Sequence, residues 1–130
     1  PVTAQVTLKN IDIIQTEGLV QNAAEVGVYF LEKLQNLKEK HEIIGDVRGL
    51  GLLLGMEFVK DRDSKQPFSS DVGLGQCLNR KLKENGLILS CRDSSISFGP
   101  PLCIDTGIVD EIVSGLDKSL YSVERDLDLS

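Results

Sequence analysis

Neither a membrane-length apolar run nor a signal-peptide pattern is found in this 130-residue chain, so no spanning helix is expected. Basic residues are in deficit, 14 against 20 acidic ones, for a formal net charge of -6. That excludes a general binder of nucleic-acid backbone, which needs a basic surface. It also leaves no basic amphipathic face for an anionic membrane. Cysteine is scarce and odd in number: Cys77, Cys91 and Cys103 stand far apart with no Cys-x-x-Cys pair. Such spacing suits reduced thiols in a cytoplasmic protein better than a disulfide framework. The single histidine, His41, has no cysteine or histidine at ligand spacing. No metal site is expected, and His41 beside Glu42 reads as a surface residue. An initiator methionine is lacking too. Pro1-Val2-Thr3 leads straight into a helical pattern, from which a segment upstream is expected.

What is there suffices for one core without disulfides or metal, with 41% hydrophobic and 26% charged residues. Residues 3–17 carry Ala4, Val6, Leu8, Ile11, Ile13 and Ile14 in a helical pattern that Gly18 interrupts. A second helical run follows through Leu19, Ala23, Val26, Phe30, Leu31, Leu34 and Leu37, ending in Lys38-Glu39-Lys40. Residues 1–40 are expected to be linker helices that dock on another domain or subunit, since the first helix would have little to bury against alone. From Ile43 the pattern turns strand-like. Ile43-Ile44 and residues 47–59 are apolar or β-branched, with glycines at 45, 49, 51 and 55 where the backbone bends or is closely approached.

After a polar turn over residues 60–67, Ser69 or Ser70 is expected to cap a helix over roughly 71–84, with Val72, Leu74, Leu78 and Leu82 buried. Asn85-Gly86 ends it in a left-handed cap. Leu87-Ile88-Leu89 and Ile96-Ser97-Phe98 read as short strands around a turn at Arg92-Asp93-Ser94-Ser95. Pro100-Pro101 stops the pairing. Asp105 caps a last helix with Ile108, Ile112, Val113, Leu116 and Leu120 as its apolar face. Residues 41–121 thus predict a small α/β domain of α+β type, an antiparallel or mixed sheet with helices on one face. Residues 122–130 read as a polar tail that frays.

Several motifs invite a chemical reading that their surroundings refuse. Gly49-x-Gly51-x-x-x-Gly55 is no phosphate loop, because leucines fill it and no Lys-Ser pair or polar helix start follows. Ser94-Ser95 has no partnered base, which argues against a Ser-His-Asp hydrolase. Asp61-Arg62-Asp63 reads as a solvated turn. Arg48, in an apolar strand, must find carbonyls or a carboxylate. Arg92 stands in a turn that could face a cleft, and arginine grips a carboxylate with two parallel bonds.

Six segments in this order resemble the C-terminal, small domain of the class-III aminotransferases. They are Pro1-Val2-Thr3-Ala4, residues 10–19, residues 25–31, Gly45-Asp46-Val47-Arg48-Gly49-Leu50-Gly51, Gly86-Leu87-Ile88-Leu89 and Pro100-Pro101-Leu102-Cys103-Ile104-Asp105. The resemblance spans nearly the whole chain. It implies an enzyme that moves an amino group between an amine or amino acid and a keto acid or aldehyde. It also implies pyridoxal 5'-phosphate as cofactor, held by a lysine of a large domain upstream of Pro1, and a homodimer. No catalytic or cofactor-binding residue is then expected in this chain, which would select substrate and close the cleft but be inactive alone. Relatives place a carboxylate-binding arginine at positions that fall here on Ser90 and Ser95, where this sequence has none. Arg92 substitutes after a local shift, or the carboxylate binds elsewhere, or the preferred amine has none. Two other readings stand beside this one: a pyridoxal-phosphate aminomutase, and a stand-alone binding module that kept the fold without the chemistry.

Overall fold

The computed structural model describes residues 1–129. Two helices open the chain, α1 (Val2–Thr16) and α2 (Leu19–Lys40), and Gly18 turns between them in the left-handed region at φ +61°. A hairpin of β1 (Ile44–Leu50) and β2 (Leu53–Phe58) follows. A short 3-10 turn (Ser70–Val72) leads into α3 (Leu74–Glu84), and Ser69 Oγ accepts the Asp71 N–H at that turn. Then come β3 (Cys91–Arg92), β4 (Ser95–Phe98) and α4 (Thr106–Asp126). The strands form one sheet in the order β1-β2-β4-β3, every pair antiparallel. The choice left open by the sequence is thereby settled as antiparallel.

The core lies where helical and strand periodicities meet. Leu54, Met56 and Phe58 of β2 and Ile96 and Phe98 of β4 alternate onto one face of the sheet and are buried. Against that face α2 sets Val26, Phe30, Leu34 and Leu37, α3 sets Leu74, Leu78 and Leu82, and α4 sets Val109, Leu116, Leu120 and Val123. Phe30 meets Phe98 edge to face, with ring centroids 5.4 Å apart, a geometry that aromatic quadrupoles favour. Helix α2 and the β1–β2 turn touch backbone to backbone. A Cβ built on Gly27 would sit 2.2 Å from the Gly51 carbonyl oxygen, so only glycine permits the approach.

Several expectations change. Helix α2, grouped with α1 as a linker, belongs to the domain's own core, whereas α1 buries no residue. Segment 87–89 is not a strand: its backbone pairs with no neighbouring strand, and the two-residue β3 lies further on. Asp105 does cap α4, its Oδ1 accepting the Ile108 N–H at 2.9 Å. Ile108 itself is exposed, and Val109 takes the buried place. The segment 122–130 continues α4 to Asp126 with Val123 buried, because the helical stripe simply extends one turn further. Its last residue, Ser130, lies outside the described residues.

His41 is another. Expected at the surface, it is wholly buried, and its ring nitrogens lie 2.8 Å from Asp117 Oδ1 and 2.9 Å from Glu124 Oε2. Tyr121 stacks edge-on against it at 4.5 Å. Both carboxylates come from α4, 76 and 83 residues away, which local sequence spacing could not reveal. The neighbouring polar turn is more than solvated. Asp61 Oδ1 accepts the N–H groups of Asp63 and Ser64, and the Arg62 guanidinium donates to the carbonyls of Lys38, His41 and Ile44. Arg62 thus ties the end of α2 to β1.

Candidate functional site

The helices cover one face of the sheet and leave the other open, as antiparallel sheets allow. Outward-pointing residues alternate with the buried ones: Arg48 and Leu50 on β1, Leu53, Gly55 and Glu57 on β2, Ser95 and Ser97 on β4, and Arg92 on β3. The pairing puts Asp46, Glu57, Ser95 and Arg92 in one row across the four strands. The face has two characters. Leu50 and Leu53, exposed at 89% and 72%, make one end apolar, and the row ending in Arg92 makes the other polar.

Charge on this face is largely spoken for. Arg48 binds Asp46 and Glu57, so its guanidinium finds its carboxylates at the surface rather than in the core. The hydrogen bond from Arg48 holds the Asp46 carboxyl below its usual range, and the two carboxylates raise Arg48 in turn. Arg62, Arg80 and Arg125 also have carboxylate partners. Arg92 is exposed and, alone among the arginines, has no carboxylate partner among the described residues.

Its placement is built locally. Asp93 and Ser94 both have positive φ, 46° and 70°, the signature of a two-residue type I′ hairpin joining β3 to β4. Ser95 Oγ donates to the Arg92 carbonyl at 3.0 Å, and the Ser94 carbonyl accepts the Phe58 N–H at 2.8 Å. On the outer edge the Asn79 side chain clasps Cys91 twice. Its amide donates to the Cys91 carbonyl at 3.1 Å, and its oxygen accepts the Cys91 N–H at 2.6 Å. Asn79 therefore stands in for a missing neighbouring strand. Sequence inspection passed over it, since it lies on α3, twelve residues away.

The structure brings Arg92 and Ser95 together as register partners, while Ser90 is exposed just before β3. Ser95 is engaged in bracing the turn. Cys91 faces the core, where burial pushes its thiol up to about 11, so it is no nucleophile. Among the described residues no cluster of His, Cys, Asp or Glu could hold a metal. Pyridoxal phosphate would need a lysine whose amine is readily neutral. Lys33 and Lys81 tend the other way: the hydrogen bonds they donate to Asp110 and Asp126 respectively raise them. Neither lysine fits that role.

An apolar cavity of about 590 Å³ borders the apolar end of the open face, lined by Val20, Ala23, Leu50, Leu53, Pro100 and Leu102 among others. A second, of about 250 Å³, lies between Leu87–Leu89 and Phe98–Pro100, with Phe30 and Ile112 behind it. The two share Gly99 and Pro100. No helix among the described residues is long and apolar enough to cross a membrane.

The same chain pattern recurs in known proteins. A taurine–pyruvate aminotransferase from Bilophila wadsworthia is 38% identical over 125 residues, covering 91% of this chain and 27% of the relative. Alanine–glyoxylate aminotransferase 2 homolog 2, mitochondrial, from Arabidopsis thaliana is 41% identical over 113 residues, covering 85% and 23%. Among solved structures, one described as a transaminase with L-ala superposes with a TM-score of 0.90 at 38% identity, covering 98% of this chain and 30% of that one. A thermostable (S)-enantioselective omega-transaminase from Thermomicrobium roseum gives 0.85 at 37%, covering 91% and 26%. The chain thus spans about a quarter of the length of these relatives. The family model described as aminotransferase class-III matches residues 1–120, and the chain belongs to that family.

Proposed function

We propose that this chain is the small, C-terminal domain of a pyridoxal-phosphate-dependent aminotransferase acting on an amine or amino acid and a keto acid or aldehyde. In this reading it selects substrate, closes the cleft and is inactive by itself. Bound pyridoxal phosphate supplies the electron sink for amino transfer. The lysine and phosphate contacts that hold it belong to a large domain, against which α1 and the open sheet face pack. The whole enzyme is a cytoplasmic homodimer. Residues 1–18 act as the docking segment, and α2 together with residues 41–121 and the last turn of α4 form the domain body.

Arg92 carries the substrate assignment. It is the arginine with no carboxylate partner among the described residues, and it sits on an exposed sheet face. A free, pre-placed guanidinium is what a substrate carboxylate pairs with. Ser90 and Ser95 take the positions at which relatives carry arginine. Ser95 braces the hairpin through the Arg92 carbonyl, and Ser90 is exposed just before β3.

The test begins with the native polypeptide, isolated with an antibody to this domain. A chain much heavier than 14.2 kDa that transfers amino groups to a keto acid supports the proposal. A native chain of that small mass without amino-transfer activity sinks it. In the active enzyme Arg92→Ala should raise KM for a carboxylate-bearing substrate about tenfold, the loss of one charge-assisted bond, while sparing a simple amine. Equal effects on both would remove Arg92 from the site.

A further inference from the structure

We infer that the segment Gly86–Ser90 is a receiving edge for an extended β-strand supplied by the rest of the polypeptide. The inference rests on the reading that this chain is one domain of a longer protein. Four observations carry it. The first is alternation. Leu87 and Leu89 are half-buried against the core, while Ile88 is 97% exposed and Ser90 is exposed. This alternating exposure is the period-2 pattern of a strand, and the sequence, too, reads as a strand here.

The second is the backbone. Leu87 donates back to the Leu82 carbonyl of α3, and Cys91 is held by Asn79. Between these anchors, no hydrogen bond to the N–H or C=O groups of Ile88, Leu89 or Ser90 occurs among the described residues. The segment belongs to no helix or strand, is half-buried at alternate positions, and is unladdered.

Third, the sheet opens at this point. Cys91 pairs with Ile96 and Arg92 with Ser95. Continuing that register would set Ser90 opposite Ser97 and Leu89 opposite Phe98, yet neither pair forms. Instead the two backbones diverge around the apolar cavity of about 250 Å³ between Leu87–Leu89 and Phe98–Pro100. Fourth, that cavity shares Gly99 and Pro100 with the larger apolar one running to Leu50 and Leu53. The unladdered edge is therefore continuous with the apolar end of the open face.

A helix laid here would cover Ile88 but leave the three residues' backbone groups unpaired. A strand satisfies both, pairing its main chain with residues 88–90 and placing alternate apolar side chains in the cavity. An exposed apolar edge is also a hazard when left free, because it can template pairing between copies. The rest of the polypeptide is the occupant that removes this hazard within one molecule. The relatives matched here are about four times as long as the part this chain covers.

The experiment is amide hydrogen exchange, followed at Ile88, Leu89 and Ser90 in the native polypeptide and in the 130-residue chain. Protection about a hundredfold greater in the native polypeptide, independent of protein concentration, is expected of a laddered strand. Exchange at open-chain rates in both would overturn the inference. Protection that appears in the short chain on concentrating it would overturn it in favour of a second copy. A native polypeptide no longer than this chain would overturn it as well. Amino-transfer activity is measured on the same preparation. An active enzyme with open amides at 88–90 sinks the strand and leaves the proposed function. Protected amides in an inactive protein do the reverse.

Discussion

Helices α1 and α2 are separated by two residues and are both rich in aliphatic side chains, yet one buries five residues and the other none. In α2 the apolar positions 26, 30, 34 and 37 form a single stripe that meets the sheet and α4. In α1 Val2, Val6, Leu8 and Ile11 remain exposed, and only Ile13 and Ile14 are half-covered near the junction. Polar contacts follow the same division. Tyr29 Oη donates to Asp110 at 2.8 Å, Lys33 pairs with Asp110 at 2.8 Å, and Lys40 with Asp117 at 3.3 Å, all from α2 to α4. The ion pair of α1, Lys9 with Asp12, is internal to that helix. Apolar content does not place a helix in a core; a stripe facing a complementary surface does. What α1 offers is an exposed apolar surface that this domain leaves uncovered.

The comparison can be broken from its strong side first. Phe30→Ala removes the aromatic that α2 sets against Phe98 and should cost about 3–5 kcal/mol of stability, read by chemical denaturation. A loss under about 1 kcal/mol would mean that α2 is no more docked than α1. His41→Ala, at the far end of α2, strands the carboxylates of Asp117 and Glu124. With those partners part-exposed, the expected loss is about 2 kcal/mol, and His41→Gln should recover part of it.

Acid should loosen α2 before it affects α1. The Lys33 hydrogen bond, then that of Tyr29, lowers the Asp110 carboxyl below its usual value. The folded state therefore binds this proton less readily than the unfolded state. Its stabilising contribution is present above the ordinary aspartate range, about pH 4, and is lost as pH falls through the lowered folded value. Asp110→Asn should flatten that part of the acid unfolding curve; an unchanged curve would show the contact is idle. The smallest effect belongs to Ile11→Ser in α1, which should move the stability of the 130-residue chain by no more than about 0.5 kcal/mol. A larger loss would show that α1 already buries something here.

Much of the fold could be read from residues close together in sequence. The Asp105 cap, the left-handed Gly86 at φ +78°, the β1–β2 glycines and the stripes of α2 and α3 are local signals. The turn at Arg92–Ser95 was legible too, though not that both central residues would take positive φ without glycine. The strand expected at 87–89 failed for a physical reason: a short apolar run suits a strand, but a ladder needs a neighbour, and none pairs with it among the described residues. His41 failed in the opposite way. Nothing beside it in sequence signals burial, and the two carboxylates that make burial tolerable arrive from the last helix. In the site, Arg92 stood out as an arginine in a turn, but its lack of a partner could be seen only once the other arginines had found theirs.

By itself the sequence determined the helices, the β1–β2 hairpin and the Asp105 and Gly86 caps, because periodicity, capping and close-packed glycines act within a few residues of each other. Six ordered segments carried the resemblance to the family. Tertiary structure alone decided which helix is core and which stays exposed, which face of the sheet is left open, and which charges remain free. Those outcomes depend on groups distant in sequence competing for the same partners in space, and such competition is settled only when the chain is folded.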